Sequence, residues 1–98
     1  MMNAFGLVKK AKMAKRITTD VFDRQIEDLL CAAIEDLKVA GVEIPETSSP
    51  LIEQAAITFF LMRFGEPDEY DRLKRSYDEQ KAQLVTNTGT TVWTEATN

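Results

Sequence analysis

The sequence predicts an all-α fold: a small bundle of about four helices followed by an extended C-terminal tail. Two long segments, 20–40 and 50–64, carry apolar residues at the spacing of a helix face, and each has residues typical of a helix start. The chain has 98 residues, 44% of them hydrophobic and 29% charged, which is the size and composition of one soluble domain. We therefore expect a helical domain over residues 1–85 and an extended arm over 86–98.

The first two helices are expected over residues 4–15 and 20–40. The N-terminal segment has only a loose helical period and no clear cap. The second has cap chemistry in the stretch Thr18–Asp20, and Gly41 suits the left-handed residue that follows many helices. The apolar stripe of this second helix contains Phe22, Ile26, Leu29, Leu30, Ala33, Ile34 and Leu37.

A third helix is expected over residues 50–64, with Ser49 as its cap and Pro50 at its first position. It is apolar nearly all round, so it must be surrounded by its own domain or by neighbouring subunits. Its inner stripe is expected to contain Leu51, Ile52, Ala55, Ala56, Phe59, Phe60 and Phe64, with Ile57, Leu61 and Met62 lying off that stripe.

A fourth helix is expected over residues 67–85, where Pro67 is followed by acidic residues in the first turn. A thin apolar seam marks its inner face: Tyr70, Leu73, Tyr77 and Leu84. Residues 86–98 are polar and rich in threonine, and we expect no helix there. Trp93 in this tail has two interpretations. Either the tail folds back onto the core, or it is an arm whose Val92 and Trp93 bind a partner by strand pairing and aromatic anchoring.

The residue types argue against catalysis. The chain has no histidine, so it lacks the commonest general base and the commonest metal ligand. Its four glycines are dispersed and form no phosphate-binding loop. The only cysteine, Cys31, has no basic neighbour and is expected to be a buried structural residue. We expect no catalytic residues, no cofactor and no metal, and therefore no enzyme.

The charge is divided unevenly along the chain. The segment 1–19 contains five cations and no acid, so the remaining residues carry a net charge of −9 within a total of −4. These cations have three interpretations: a solvated helix face, contact with an acidic neighbouring subunit, or contact with nucleic acid or membrane. The acidic remainder makes general DNA binding unfavourable. The candidate subunit-interface residues in this segment are Lys9, Lys10, Lys12, Lys15 and Arg16.

No apolar run approaches the roughly 20 residues that a membrane span needs. The first residues place apolar side chains before the lysines, the reverse of a secretory signal, so we expect neither export nor a membrane partner. A single cysteine also suits a reducing cytosol.

Several stretches resemble the head–tail connector (adaptor) family of tailed bacteriophages. The most specific is the pattern Tyr-x-x-Leu-x-x-Ser-Tyr-Asp, which begins at Tyr70. The resemblance covers about residues 7–85. Its other parts are DVFDRQIEDLL at 20–30, Ala32-Ala33, Ala40-Gly41-Val42, PLIEQAA at 50–56, Phe64-Gly65 and the remainder of YDRLKRSYDEQKAQL at 70–84.

The resemblance implies a structural function without catalytic residues. Subunits would form a ring, dodecameric in the virion, below the portal protein at the neck, after assembly in the host cytoplasm. The ring would extend the DNA channel without binding DNA specifically, and would dock a stopper or tail-completion protein. A C-terminal arm at 86–98 would reach the portal. Tyr70 and Tyr77 join the basic residues as candidate subunit-interface residues.

Two other classes of function remain open. A DNA-binding regulator would use the basic N-terminal segment, but the two best helices are separated by a loop at 42–49 that is longer than a helix-turn-helix turn. A small helical interaction module unrelated to phage would form a discrete complex rather than a ring.

Overall fold

The computed structural model describes residues 4–45, 49–64 and 67–97, with side chains described for 6–45, 49–64 and 68–86. In these ranges the chain is all-helical, which confirms the predicted fold class. A 3₁₀ turn at Pro67–Glu69 precedes the last helix. The helices are α1 (Ala4–Lys15), α2 (Asp23–Val39), α3 (Pro50–Phe64) and α4 (Tyr70–Thr97).

Helix α3 lies at the centre of the bundle and packs against α1, α2 and α4. Its apolar surface is therefore covered largely within one chain. Of the two possibilities that the sequence left open, its own domain rather than neighbouring subunits surrounds this helix. The buried residues form one core cluster: Leu7, Val8, Ala11, Ile26, Leu30, Ala33, Ile34, Leu37, Val42, Ile52, Ala55, Ala56, Phe59, Phe60, Met62, Leu73, Tyr77 and Leu84.

The inner stripe predicted for α3 needs two corrections. The side chain of Leu51 is 52% exposed, because it lies in the first turn, on the side away from the neighbouring helices. Met62, predicted to lie off the stripe, is buried. Since α3 contacts three helices, its buried surface is wider than the single stripe that a helical period detects.

Helix α2 ends as its sequence predicts. Gly41 has φ 103° and follows the helix, and its N–H donates to the carbonyl of Lys38 at 3.0 Å. The N–H of Val42 donates to the carbonyl of Leu37, also at 3.0 Å. This pair of hydrogen bonds is the Schellman motif, in which glycine takes the left-handed conformation at low cost.

The start of α2 differs from the prediction. The helix begins at Asp23, its N-cap position is Phe22, and no side chain caps it. Thr18–Asp20 lies before the helix in a turn, where the Thr19 hydroxyl accepts a hydrogen bond from the Val21 N–H at 3.2 Å. The Asp20 carboxylate instead accepts a hydrogen bond from Lys12 of α1. The expected cap residue therefore forms an ion pair with α1 rather than a cap of α2.

The extended tail predicted for residues 86–98 is not confirmed, because α4 continues to Thr97. Once a helix is formed, each further residue adds a hydrogen bond without a new nucleation step. Threonine and asparagine cost at most about 0.7 kcal/mol per residue relative to alanine, so a polar segment can continue an existing helix. With 28 residues, α4 is about 42 Å long, nearly twice the length of α3.

Candidate interaction surfaces

A polar junction joins α2, α3 and α4 at the edge of the core. The Tyr77 hydroxyl donates a hydrogen bond of 2.6 Å to Asp36 of α2, and the ammonium of Lys81 donates to the same oxygen at 3.1 Å. The Tyr77 ring packs edge-on against Phe59 of α3, with centroids 5.3 Å apart. The guanidinium of Arg63 lies 5.0 Å from the centroid of the Phe59 ring. Two hydrogen bonds to Asp36 and the ring contact between Tyr77 and Phe59 thus fix the position of α4.

The contacts at this junction shift the pKa values of the Asp36 carboxyl and the Tyr77 phenol in opposite directions. The hydrogen bond from Tyr77 lowers the pKa of Asp36, and the bond from Lys81 adds to this effect. Burial raises the pKa of Tyr77, and its hydrogen bond to the Asp36 carboxylate raises it further. The junction therefore holds a carboxylate and a neutral phenol throughout the neutral range, as a structural contact requires.

Tyr70 and Tyr77 occupy different environments. Tyr77 is only 2% exposed and bonds within its own chain, so its side chain is occupied by the fold. Tyr70 is 36% exposed at the first residue of α4, where a partner could contact it. Their predicted role in a subunit interface stays a prediction, and of the two only Tyr70 offers accessible surface.

Two of the predicted interface cations form ion pairs inside the chain. Lys10 lies 2.6 Å from Glu53 and connects α1 to α3. Lys12 lies 2.8 Å from both Asp20 and Asp23, and so fixes the connection between α1 and α2. These contacts raise the pKa of Lys12 and lower that of Asp20.

The other basic residues of the segment point away from the core. Lys9 and Arg16 are exposed and Lys15 is half-buried, and none of the three forms an ion pair within the described residues. Arg16 has φ 59°, the left-handed conformation usually taken by glycine. Its N–H donates to the carbonyl of Met13, and the N–H of Ile17 donates to that of Lys12, which ends α1 as Gly41 ends α2.

Cys31 is exposed on the outer face of α2, so the prediction of a buried cysteine is wrong. The helical period already places it between the buried positions Leu30 and Ala33 but outside their face. Partial burial of the sulfur and the carboxylates of Glu27, Asp28 and Glu35 raise the pKa of the thiol. A thiol with a raised pKa is a weak nucleophile at neutral pH.

Apolar side chains are exposed at both ends of the bundle. At one end, Val21 is 79% exposed and Phe22 lies beside it, 5.5 Å from Phe64 in an edge-on contact. At the other end, Val39 is 85% exposed at the end of α2 and Leu51 lies at the start of α3. Scattered exposed apolar residues are normal on soluble proteins.

A shallow depression of about 520 Å³ lies on the outer face of α4. A ligand site needs walls from several elements, and this depression has only one helix behind it. Its lining residues are Asp71, Lys74, Arg75, Asp78, Glu79 and Ala82.

Within the described ranges, no group of three or more acidic or cysteine side chains could hold a metal ion. None of the described helices combines the length and the hydrophobicity needed to cross a bilayer.

Val92 and Trp93, the residues predicted to bind the portal, have side chains outside the described part of the chain. Their backbone belongs to α4. The strand pairing predicted for them is not available to residues in a helix, because their backbone N–H groups and carbonyls bond within it.

The sequence did not reveal the acidic partners of the internal contacts. Asp36, Glu53 and Asp20 each bond to a residue of another helix, and two of these pairs are separated by more than 40 positions along the chain. The only available signal is the position of Asp36 in α2, directly between the buried Ile34 and Leu37 positions. A charged residue so close to a buried stripe needs a partner.

A scan against protein-family models, a search of curated proteins and a search of solved structures each found no match to this chain. The fold and the surfaces described above define a small all-helical protein with charged residues on the outer faces of its helices.

Proposed function

We propose that this chain is a structural head–tail connector subunit of a tailed bacteriophage, which forms a ring below the portal protein. The observation that carries the proposal is the connector-like pattern that begins at Tyr70, together with its position in the fold. Leu73 and Tyr77 of the pattern are buried against the bundle, while the residues between them lie on the exposed face of α4. The buried residues of the pattern thus hold α4 on the bundle, and its exposed residues are free to contact a partner.

The distribution of charge supports a channel-forming role. The chain has a net charge of −4, so a ring of its copies would be negatively charged overall. A ring of such subunits would repel DNA phosphates, so DNA would pass through without being held. The cations of the N-terminal segment that pair with no residue in the described part of the chain are then available for contact with neighbouring acidic subunits.

A DNA-binding regulator fits the geometry less well. A recognition helix must expose one side to the major groove. Here α3 is enclosed by three helices, and the outer face of α2 carries acids that would meet phosphate. A helical interaction module of another kind fits the same fold, and it differs in predicting a small complex of fixed size rather than a ring on a portal.

Co-sedimentation with the portal protein of the phage that encodes the chain tests the proposal. The full chain should migrate with portal assemblies in a density gradient, and portal alone should migrate more slowly. Truncation after Val85 should abolish co-migration if residues 86–98 make the portal contact. A full chain that stays at the top of the gradient at every ratio to portal would contradict the connector function.

A further inference from the structure

The outer face of α1 carries, on both sides of an exposed apolar residue, cations that form no ion pair with any described residue. Lys9 and Met13 lie one turn apart on this face, and Arg16 follows at the helix end. Met13 is 71% exposed, whereas the apolar residues Leu7 and Val8 of the same helix are buried. Arg16 is seven positions after Lys9 and lies just beyond the last residue of α1, with φ 59°. We name Lys9, Met13 and Arg16 the basic stripe.

The outer face of α2 has the complementary arrangement. Asp28 and Glu35 are exposed and also seven positions apart, about 10.5 Å along the helix. Between them lie the small, exposed residues Cys31 and Ala32. We name Asp28, Cys31, Ala32 and Glu35 the acidic stripe.

The charges of the acidic stripe are accessible to a partner. Asp28 has no ion pair within the described residues, and Glu35 has only an exposed contact of 3.6 Å with Lys38. Exposed pairs of this kind contribute little stability, so Glu35 can exchange its partner at low cost. Arg24 and Lys38 lie beyond the two ends of the stripe, so a second chain's cations shifted along α2 would meet like charge.

We propose that the basic stripe of one copy of this chain binds the acidic stripe of a second copy. Lys9 and Arg16 would lie over the two carboxylates, and Met13 would pack between them onto the small residues Cys31 and Ala32. Each stripe carries the same sign at both ends, so charge complementarity holds for parallel and antiparallel helices. The inference rests on the proposed function, because it names the contact between neighbouring subunits of the ring.

The contact joins two different helices, so it is head-to-tail when two copies make it once, whereas a pair that made it twice would be a closed dimer. Each copy presents a basic stripe on α1 and an acidic stripe on α2, so a pair joined once leaves one stripe of each kind unoccupied. Repetition of a heterologous contact gives a ring when the rotation between copies closes. A nucleic acid is a weaker candidate for the basic stripe, since the surrounding net charge of −4 opposes phosphate.

Disulfide formation between copies tests the contact directly, because Cys31 is the only cysteine of the chain. In the full-length variant Met13→Cys, mild oxidation at alkaline pH should join residue 13 of one copy to Cys31 of the next. A non-reducing gel should then show a ladder that extends beyond dimers. The variant Met13→Cys with Cys31→Ala lacks the partner thiol and should remain monomeric on the gel. Val39→Cys, which is even more exposed than Met13 but lies outside both stripes, is the matched control and should give no ladder.

Charge reversal provides a second, independent readout. Lys9→Glu combined with Arg16→Glu should lower the assembly mass by light scattering at least several-fold, and adding Asp28→Lys with Glu35→Lys should restore it. Far-UV circular dichroism of each variant checks that the fold is retained. An unchanged mass, cross-links confined to dimers, or equal ladders from Met13→Cys and Val39→Cys would overturn the proposed contact.

The same variants separate this contact from the proposed function, with cross-linking repeated on portal-bound chain. If the full chain binds portal but gives no ladder from Met13→Cys, the stripe contact is wrong and the connector function stands. If the ladder forms but portal is not bound, the contact stands and the connector function fails. If the Lys9→Glu, Arg16→Glu variant instead loses retardation of a DNA fragment at physiological salt without a change in mass, the basic stripe serves nucleic acid and the proposal is overturned.

Discussion

At the scale of single residues, two side chains depart from what their type usually does. Arg16 takes a left-handed backbone conformation that L-residues with a Cβ adopt at a cost, in order to end α1. Tyr77 is a buried tyrosine whose hydroxyl satisfies a carboxylate from a helix 41 positions earlier. Both positions can be tested with conservative substitutions.

Replacement of Arg16 by glycine should raise the free energy of unfolding by about 0.5–1 kcal/mol, because glycine has no Cβ to strain at φ 59°. Chemical denaturation at low protein concentration measures the change. Arg16→Ala removes the same guanidinium but keeps a Cβ, so it should show no such gain. Equal stabilities for the glycine and alanine variants would refute the account of the α1 end.

Replacement of Tyr77 by phenylalanine should lower the free energy of unfolding by about 1 kcal/mol, since it removes one hydrogen bond to a charged, partly exposed acceptor. Tyr70→Phe is the matched control in the same helix and should have no effect. A loss that is the same for both tyrosines would show that the contact to Asp36 contributes nothing.

The lowered pKa of Asp36 predicts how stability depends on pH. The folded state favours the carboxylate, so its contribution is complete above the ordinary value of 3.8 and is lost as pH falls from there through the folded pKa. Asp20 contributes in the same direction. Asp36→Asn should therefore be less stable than wild type near pH 7 and should lose less stability on acidification, as urea denaturation between pH 6 and about 2.5 would show. A parallel decline of both proteins would contradict this assignment.

At the scale of secondary-structure elements, Leu51 and Ile52 show what helix position does to neighbouring apolar residues. Ile52 is buried and Leu51 is 52% exposed, although both fit the predicted stripe. Ile52→Ala should cost about 2–5 kcal/mol of stability, while Leu51→Ala should stay within about 0.5 kcal/mol. Thermal or chemical denaturation of the two variants measures the difference, and similar losses would mean that the start of α3 is packed differently.

The helices α1 and α3 and the end of α2 could be predicted because their signals are local. Apolar spacing, Pro50 and Gly41 act within a few residues of the features that they determine. The start of α2 could not be predicted, because Asp20 bonds to Lys12 in another helix. The C-terminal extent of α4 was missed because threonine-rich composition is weak evidence against helix propagation.

The polar contacts between helices could not be predicted either, because they join residues that are distant in the sequence. Asp36, Tyr77 and Lys81 meet only after α2 and α4 have packed on α3, and no spacing in the sequence records that meeting. Exposure was equally hard to read at Cys31, because its small apolar neighbours resemble a buried segment. The sequence showed that the N-terminal segment is positively charged, but it did not show that Lys10 and Lys12 form ion pairs within the chain.

At the scale of the whole molecule, one chain covers its own central helix, so the apolar surface of α3 does not require partners. The proposed assembly would depend instead on the charged outer faces that carry the basic stripe and the acidic stripe. Contacts made by exposed charges are screened by salt. Assembly through them should therefore weaken as ionic strength rises, whereas assembly through an apolar face would not.

The mass of the purified full-length chain by native mass spectrometry, alone and with the portal protein, tests the connector account most directly. The account predicts one closed assembly of defined subunit number, a dodecamer on the portal, which forms either in solution or only when portal is added. A chain that remains a monomer or dimer at all concentrations, with and without portal, would contradict the account. If that monomer or dimer also retarded a DNA fragment at physiological salt, the regulator would replace the connector as the function of this fold.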